Sequence, residues 1–100
     1  MHARVGTFEV DPAQLDKLVE LFRGPVVEAF SRHRGFIGYQ SYIDRERGQM
    51  VGLSLWERLG DLESSAEAAR QAREQAAAIG AVTVGEPKIL ELAFDARKPQ

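Results

Sequence analysis

The sequence lacks cysteine, so it has no disulfide, no thiolate nucleophile and no sulfur ligand for a metal. Its two histidines, His2 and His33, stand far apart and favour no metal site. No run of about 18 apolar residues is present, and the first residues lead into a strand-like segment rather than a signal peptide. We therefore expect a cytoplasmic protein with no membrane partner.

An excess of charge of either sign is also missing. Thirteen basic residues stand against fifteen acidic ones, a formal net charge of -2, so the chain has no broad positive field for nucleic acid. The sequence is 44% hydrophobic and 28% charged, which is typical of a folded globular protein. Because 100 residues support only one core, we predict a single domain over residues 1–95 and a flexible tail over residues 96–100.

The first half of the chain predicts a strand followed by an interrupted helix. A strand is expected over Ala3–Val10, after which Asp11 has a side chain suited to capping a helix. Apolar residues then recur at steps of three and four, as on one buried helical face: Leu15, Leu18, Val19, Phe22, Val26, Ala29 and Phe30. Because Pro25 lacks an amide donor, we expect a kink there or two abutting helices.

The second half predicts a hairpin, a second helix and a broken last strand. Residues 36–43 and 49–57 are strand-like and are separated by the turn at residues 44–48. Good helix formers fill residues 61–79, and the charged cluster in this segment is expected to be a solvated face with local ion pairs: Arg70, Arg73 and Glu74. Residues 82–94 are rich in strand-forming residues but contain a Gly-Glu-Pro interruption.

This order of elements, β-α-β-β-α-β, predicts an α+β, ferredoxin-like fold with a four-stranded antiparallel sheet and both helices on one face. The third strand carries Val51, Leu53 and Leu55 on one side but Met50 and Trp56 on the other, so both faces of the sheet are apolar. Two helices cover only one face. We therefore predict a homodimer formed by packing of two sheets. The alternative is a monomer that tolerates an apolar surface.

A hairpin register in which paired residue numbers sum to about 92 predicts which side chains share a face. One face is expected to line a ligand cavity closed by helix residues Phe22, Val26 and Phe30. Its strand residues are Phe36, Gly38, Gln40, Tyr42, Met50, Gly52, Ser54 and Trp56. The other face is expected to be the subunit interface, with Ile37, Tyr39, Ile43, Val51, Leu53 and Leu55. Alternatively, Gly38 and Gly52 accommodate crossing helix side chains and leave no cavity.

Several polar residues on or near this face are candidates for chemistry. His33 is in phase with Phe30 at the helix end, where it is placed to act as a general base or to orient a phenol. A partly exposed capping histidine is the alternative. Gln40, Tyr42 and Ser54 could orient a hydroxylated or quinoid ring, or could bond to backbone or water instead.

Three segments carry a family resemblance over nearly the whole chain. They are the end of the interrupted helix at residues 34–39 (RGFIGY), the hairpin turn at residues 44–48 (DRERG) and the end of the third strand at residues 53–57 (LSLWE). With these segments the sequence resembles the dimeric α/β-barrel proteins of the antibiotic biosynthesis monooxygenase type. The resemblance implies a dimeric barrel, with Trp56 matching a tryptophan that often lines the ligand cavity of these proteins.

The resemblance also implies a set of possible functions. It is to cofactor-independent monooxygenases acting on small aromatic or quinol-type compounds, so Trp56 and His33 are the candidate catalytic residues and no cofactor is expected. A non-enzymatic ligand-binding or stress-related member of the superfamily is the alternative. The haem-degrading branch uses an asparagine on the first strand and a histidine on the second helix, and this sequence has neither, so haem binding or degradation is the least favoured possibility. Arg58 replaces the usual serine cap of that helix, so the cap is expected at Asp61.

Overall fold

Residues 1–99 are described by a computed structural model, and Gln100, the last residue of the predicted tail, lies outside them. Helices and strands follow one another in the predicted order. They are β1 (His2–Glu9), a 3-10 turn (Pro12–Gln14), α1 (Leu15–Leu21), a π turn (Phe22–Val26), α2 (Val27–Ser31), β2 (Phe36–Asp44), β3 (Gln49–Trp56), α3 (Leu59–Ser64), α4 (Ala66–Ala78), β4 (Val82–Thr83) and β5 (Lys88–Glu91).

The sheet is antiparallel, with strand order β2-β3-β1-β4, and β5 pairs with the other end of β1. The β1 strand therefore lies at the centre, flanked by the hairpin on one side and by the two halves of the broken last strand on the other. This arrangement confirms the predicted α+β, ferredoxin-like fold. Within residues 1–99 the sheet is open and does not close into a barrel.

The first helix is interrupted where the sequence predicts, and the interruption is a π turn. Pro25 has no amide hydrogen to donate, and the widened turn lets the Val27 amide donate to the Phe22 carbonyl five residues earlier. The apolar stripe keeps its phase across the turn, because Leu18, Phe22 and Phe30 are all buried against the sheet. The prediction of two abutting helices is confirmed.

The hairpin register differs from the predicted one, and this changes which residues face the helices. Asp44 pairs with Gln49 across a four-residue loop, so paired numbers sum to 93 along most of the hairpin. At Phe36, which pairs with Trp56, the paired residue numbers sum to 92, because a β-bulge lies between Phe36 and Gly38. A shift of one residue turns every side chain of the shifted strand to the opposite face. Tyr39 therefore faces the helices.

The predicted second helix is two helices, because the helical conformation is interrupted at Ser65. The Ser65 hydroxyl donates to the Leu62 carbonyl at 2.7 Å and accepts from the Arg4 guanidinium at 2.9 Å. The predicted cap is also wrong: α3 begins one residue after Arg58, whose side chain makes no capping bond, and Asp61 lies inside the first turn. Only two residues separate the end of β3 at Trp56 from the start of the helix at Leu59, so the residue in the cap position is Arg58.

The core lies between the helices and the inner face of the sheet. Trp56 is fully buried, with its ring centroid 5.3 Å from that of Phe36 and 5.8 Å from that of Phe30. Along β3, buried residues alternate with half-buried ones, so Val51, Leu53 and Leu55 point to the outer face. The helices leave this outer face uncovered.

Gly48 gives a test of the hairpin geometry. Its φ is +68°, and a Cβ there would lie 2.0 Å from the Val10 carbonyl oxygen. We expect Gly48→Ala to lower the free energy of unfolding by about 2–4 kcal/mol, because left-handed strain and a backbone clash add. Gly80→Ala is the matched control: its φ is +96° with nothing within 4 Å, so only the strain of about 1–2 kcal/mol applies. If urea denaturation gave the same decrease in the free energy of unfolding for both variants, the close contact between Gly48 and the Val10 carbonyl would be contradicted.

Candidate active site

A small cavity lies between the inner face of the sheet and the helices. Its volume is about 30 Å³, which is room for roughly two water molecules. The lining residues come from strands β1 to β4, from the interrupted first helix and α4, and from the loop before β5: Arg4, Gly6, Phe8, Phe22, Phe30, Tyr39, Gly52, Ser54, Ala69, Ala72, Arg73, Thr83 and Pro87. The predicted cavity between sheet and helices is therefore present.

Two paired glycines form the floor of the cavity. Gly6 on β1 lies opposite Gly52 on β3, so no side chain rises from the sheet at this point. A Cβ on Gly52 would stand 1.8 Å from the Tyr39 hydroxyl oxygen. Gly52 thus lets the Tyr39 hydroxyl lie over the sheet. The alternative for Gly52, crossing helix side chains and no cavity, is wrong: the side chain that lies over Gly52 comes from strand β2, and a cavity remains.

A polar row crosses three neighbouring strands beside the glycine floor. Tyr39 on β2 pairs with Ser54 on β3, and Ser54 pairs with Arg4 on β1. All three side chains line the cavity, whose remaining wall is largely apolar. The strand register thus places two hydroxyl groups and one guanidinium on the same side of an apolar pocket.

The Tyr39 hydroxyl is a neutral hydrogen-bond donor. Its burial raises the pKa of the phenol well above the usual value, because removal from water disfavours the phenolate. Stacking against Phe22, with ring centroids 5.8 Å apart, fixes the direction of the ring. Among residues 1–99 the hydroxyl has no hydrogen-bond partner, so its proton is available to an occupant of the cavity.

Ser54 is a second available donor, and Trp56 orients it. The Trp56 indole N–H donates to Ser54 Oγ at 2.9 Å. Because this bond occupies a lone pair of the hydroxyl oxygen, the Ser54 proton remains free to point elsewhere. Ser54 is only 2% exposed, so its open direction is the cavity that it lines.

The two predicted catalytic residues do not line the cavity. Trp56 lies behind Ser54 in the aromatic core and reaches the cavity only through that serine. His33 is half-buried in the turn after α2, outside the cavity wall. Its predicted phase with Phe30 required the helix to continue, but α2 ends at Ser31. The structure therefore brings neither ring into the pocket.

The predicted binding residues divide between the two faces of the sheet. Phe22, Phe30, Gly52 and Ser54 line the cavity as expected. Gln40 and Tyr42 lie on the outer face instead, because the four-residue loop shifts the register by one. There the Tyr42 hydroxyl donates to Gln40 Oε1 at 3.1 Å.

Sequence reasoning missed three polar residues of the site. Tyr39 was assigned to the outer face, Arg73 to a solvated helix face, and Arg4 was not singled out. Arg4 could have been found from its spacing, since it lies two residues before Gly6 and so shares its face of β1. No comparable signal in the sequence marks Arg73.

An open groove of about 560 Å³ lies at the mouth of the cavity. The groove and the cavity share five lining residues, so one leads into the other: Arg4, Ala69, Arg73, Thr83 and Pro87. Arg4 is held in place here by a second bond, from its guanidinium to the Leu62 carbonyl at 2.7 Å. A ligand that places one edge in the cavity therefore has room for its body in the groove.

The described part of the chain offers no cluster of three or more histidine and acidic side chains placed to hold a metal ion. Over the same residues, no helix is long and apolar enough to cross a membrane. The cavity itself is lined by two neutral hydroxyl donors, Tyr39 and Ser54, by two guanidinium groups and by a largely apolar wall. Such groups favour a ligand oxygen that carries negative charge, because the donors are fixed in place before it forms.

A family model described as antibiotic biosynthesis monooxygenase matches residues 1–81. Two uncharacterized proteins from two strains of Mycobacterium tuberculosis are each 30% identical over 77 residues, covering 77% of this chain and 33% of theirs. The chain thus spans about a third of the length of these curated relatives.

Solved structures show the same fold. A monooxygenase of Streptomyces coelicolor in complex with nanaomycin D is 27% identical, with a TM-score of 0.69 over 99% of this chain and 92% of that one. A variant of SnoaB, a cofactor-independent oxygenase from Streptomyces nogalater, has a TM-score of 0.67 over 97% of each chain. At 15% identity, the second likeness concerns the fold alone.

Proposed function

The chain belongs to the antibiotic biosynthesis monooxygenase family, and from this membership we propose that it is a cofactor-independent monooxygenase of a small aromatic or quinol-type compound. The observation that carries the proposal is the pair of unused hydroxyl donors, Tyr39 and Ser54, at one end of an apolar cavity. The Streptomyces coelicolor monooxygenase, solved with nanaomycin D, supports a ligand of this general kind.

The proposed reaction uses the electrons of the substrate itself. An anthrone, for example, loses the two hydrogens of its central CH2 group and gains one oxygen atom of O2. The second oxygen atom leaves as water with those two hydrogens, so no external reductant is needed. The substrate reacts with O2 as its anion, and the proton passes to water at the mouth of the cavity. The protein contributes by excluding water and stabilising that anion.

The hydroxyl donors act on the negative oxygen of the substrate anion. Tyr39 and Ser54 donate to this oxygen, while the nearby guanidinium of Arg4 adds positive charge. These interactions lower the pKa of the bound substrate, so its ionised form is populated without a strong base in the site. The cavity admits only the reacting edge of the ring, and the groove holds the remainder.

Oxygen consumption with a panel of hydroquinones and anthrones tests this proposal. We expect uptake above the spontaneous rate for at least one compound, with one O2 consumed for each anthrone. Heat-denatured protein provides the baseline, and His33→Ala should keep full activity because His33 lies outside the cavity. Spontaneous rates throughout the panel would overturn the proposal.

One observation favours a second candidate, a binding protein without turnover. Among the described residues, the polar side chains that line the cavity are Arg4, Arg73, Tyr39, Ser54 and Thr83, and they include neither an imidazole nor a carboxylate. None can accept a proton from a bound phenol. Under this alternative, a compound of the panel quenches the fluorescence of Trp56 on binding, while oxygen uptake stays at the spontaneous rate.

We also propose that two copies pair through the outer face of the sheet. This face carries half-buried or exposed apolar residues that the helices do not cover: Ala3, Val5, Ile37, Val51, Leu53, Leu55 and Leu90. Phe94, in the segment beyond β5, borders the same surface and is 80% exposed. A second copy fits because the centre of the face is apolar and its charged residues, Glu9, Asp44 and Lys88, stand at strand ends or on an edge strand, where they can remain in water.

Sedimentation of a matched pair of variants tests the dimer. We expect twice the 11.1 kDa chain mass at micromolar concentration, and an increase in the dimer Kd of about 100-fold for Leu53→Asp, because a charge would be buried unpaired. Leu59→Asp, on the exposed side of α3, should leave the dimer intact. A wild-type protein that sediments as one chain at all these concentrations would exclude it.

A further inference from the structure

Arg73 differs from its neighbours on α4 in having no acidic partner among residues 1–99. Arg70, one turn earlier, is bonded to both Glu67 and Glu74 on the solvent side of the helix. The Arg73 side chain instead lines both the cavity and the groove at its mouth. No described carboxylate lies within 4.0 Å of it. An arginine directed into a groove without a partner is available to a ligand.

Arg4 adds a second positive charge to the same place. Its guanidinium is half-buried and fixed by bonds to Ser65 Oγ and the Leu62 carbonyl, both uncharged acceptors. Burial, together with the positive charge of Arg73, lowers the pKa of Arg4. Two like charges therefore lie near each other with neither neutralised by a described acidic side chain. An anion between them would remove this repulsion.

Resting on the proposed function, we propose that the substrate carries a carboxylate, which Arg73 binds in the groove with Arg4 beside it. A planar guanidinium matches a carboxylate with two parallel hydrogen bonds. The groove has room for a side chain bearing that group, while the reacting ring edge enters between Phe22 and Phe30. The substrate class is thus an acidic phenol or hydroquinone.

The groove also contains an acid, which limits the anions that fit. Glu86 lines it on the loop between β4 and β5, more than 4.0 Å from either arginine. Its negative charge disfavours a polyanion that would extend past the arginines. A single carboxylate held close to Arg73 avoids this repulsion, which is why we assign a monoanion.

Anaerobic calorimetry with 2,5-dihydroxyphenylacetate and its uncharged primary amide tests the inference without turnover. In the wild-type protein the acid should bind about tenfold more tightly than the amide, since charge-assisted hydrogen bonds have roughly that effect. Arg73→Gln should abolish the preference by weakening the binding of the acid about tenfold and that of the amide much less. Arg70→Gln, on the same helix but directed to solvent, is the control and should keep it. Circular dichroism checks that each variant is folded.

The outcomes separate the inference from the proposed function. Equal binding of acid and amide overturns the inference, as does an equal loss of preference in the two arginine variants or a parallel loss of both ligands in Arg73→Gln. In each of these cases, oxygen uptake with uncharged phenols still reports on the proposed function. Conversely, an acid preference that depends on Arg73 stands even if no compound consumes oxygen.

Discussion

Trp56→Ala is expected to lower the free energy of unfolding by about 3–5 kcal/mol, the largest stability effect of any single substitution considered. The indole is 0% exposed and packs against the rings of Phe30 and Phe36. Its removal leaves a cavity at the centre of the core. Because the free energy of unfolding of a small domain is only about 5–15 kcal/mol, the midpoint of thermal unfolding should fall by tens of degrees.

Trp56→Phe separates packing from hydrogen bonding. Phenylalanine keeps most of the ring contacts but loses the N–H that orients Ser54. We expect a smaller loss of about 1–2 kcal/mol together with reduced oxygen uptake, because Ser54 is then free to turn away from the cavity. All proteins must be compared at one concentration, since dimerisation adds to apparent stability. A loss below about 1 kcal/mol for Trp56→Ala would contradict the central place of Trp56 in the core.

Tyr39→Phe is expected to lower kcat about 100-fold, the usual effect of removing one donor from an oxyanion site. The phenylalanine ring keeps the stacking on Phe22, so the thermal midpoint should change little. KM should also change little, because the bond strengthens as negative charge develops on the substrate. Oxygen uptake under saturating substrate, measured beside thermal unfolding, checks both expectations.

Tyr42→Phe is the matched control for this prediction. Its hydroxyl lies on the outer face, 59% of the residue is exposed, and its partner is Gln40. Activity should therefore be unchanged. If both tyrosine variants lost activity equally, the assignment of the inner face would be wrong. Because burial raises the pKa of Tyr39, its donor should not be lost in the wild-type protein below about pH 10, where an ordinary tyrosine ionises.

The sequence was sufficient to predict the order of elements and the inner face of β3. Met50 and Trp56 face inwards because alternation along one strand depends only on local geometry. The register of the partner strand was not predictable to the same precision. The predicted turn, residues 44–48, has five residues, whereas the observed loop has four; this difference reverses the faces of β2, and the composition of the turn allows either. This difference of one residue in the loop places Tyr39 in the site, where Gln40 was predicted.

The depth of a residue was harder to predict than its face. Trp56 and Ser54 share a face of β3, but only Ser54 lines the cavity. Phe30 and Phe36 pack over the indole of Trp56 and separate it from the cavity, and this packing could not be read from the sequence. Arg73 is a similar case. Its orientation depends on where α4 crosses the sheet, and that is set by the break at Ser65, which no helix-propensity pattern marks.

Incorporation of heavy oxygen tests the central claim most directly, namely that the chain itself inserts oxygen from O2 into a phenolic or anthrone substrate at the cavity beside Tyr39. Anthrone is incubated with wild-type protein under 18O2 in ordinary water, and the product is analysed at once by mass spectrometry. We predict one 18O atom in each anthraquinone formed, at a rate well above the spontaneous one and about 100-fold lower in Tyr39→Phe. Product without 18O, or formation at one rate with wild-type protein, Tyr39→Phe and no protein, would contradict the claim.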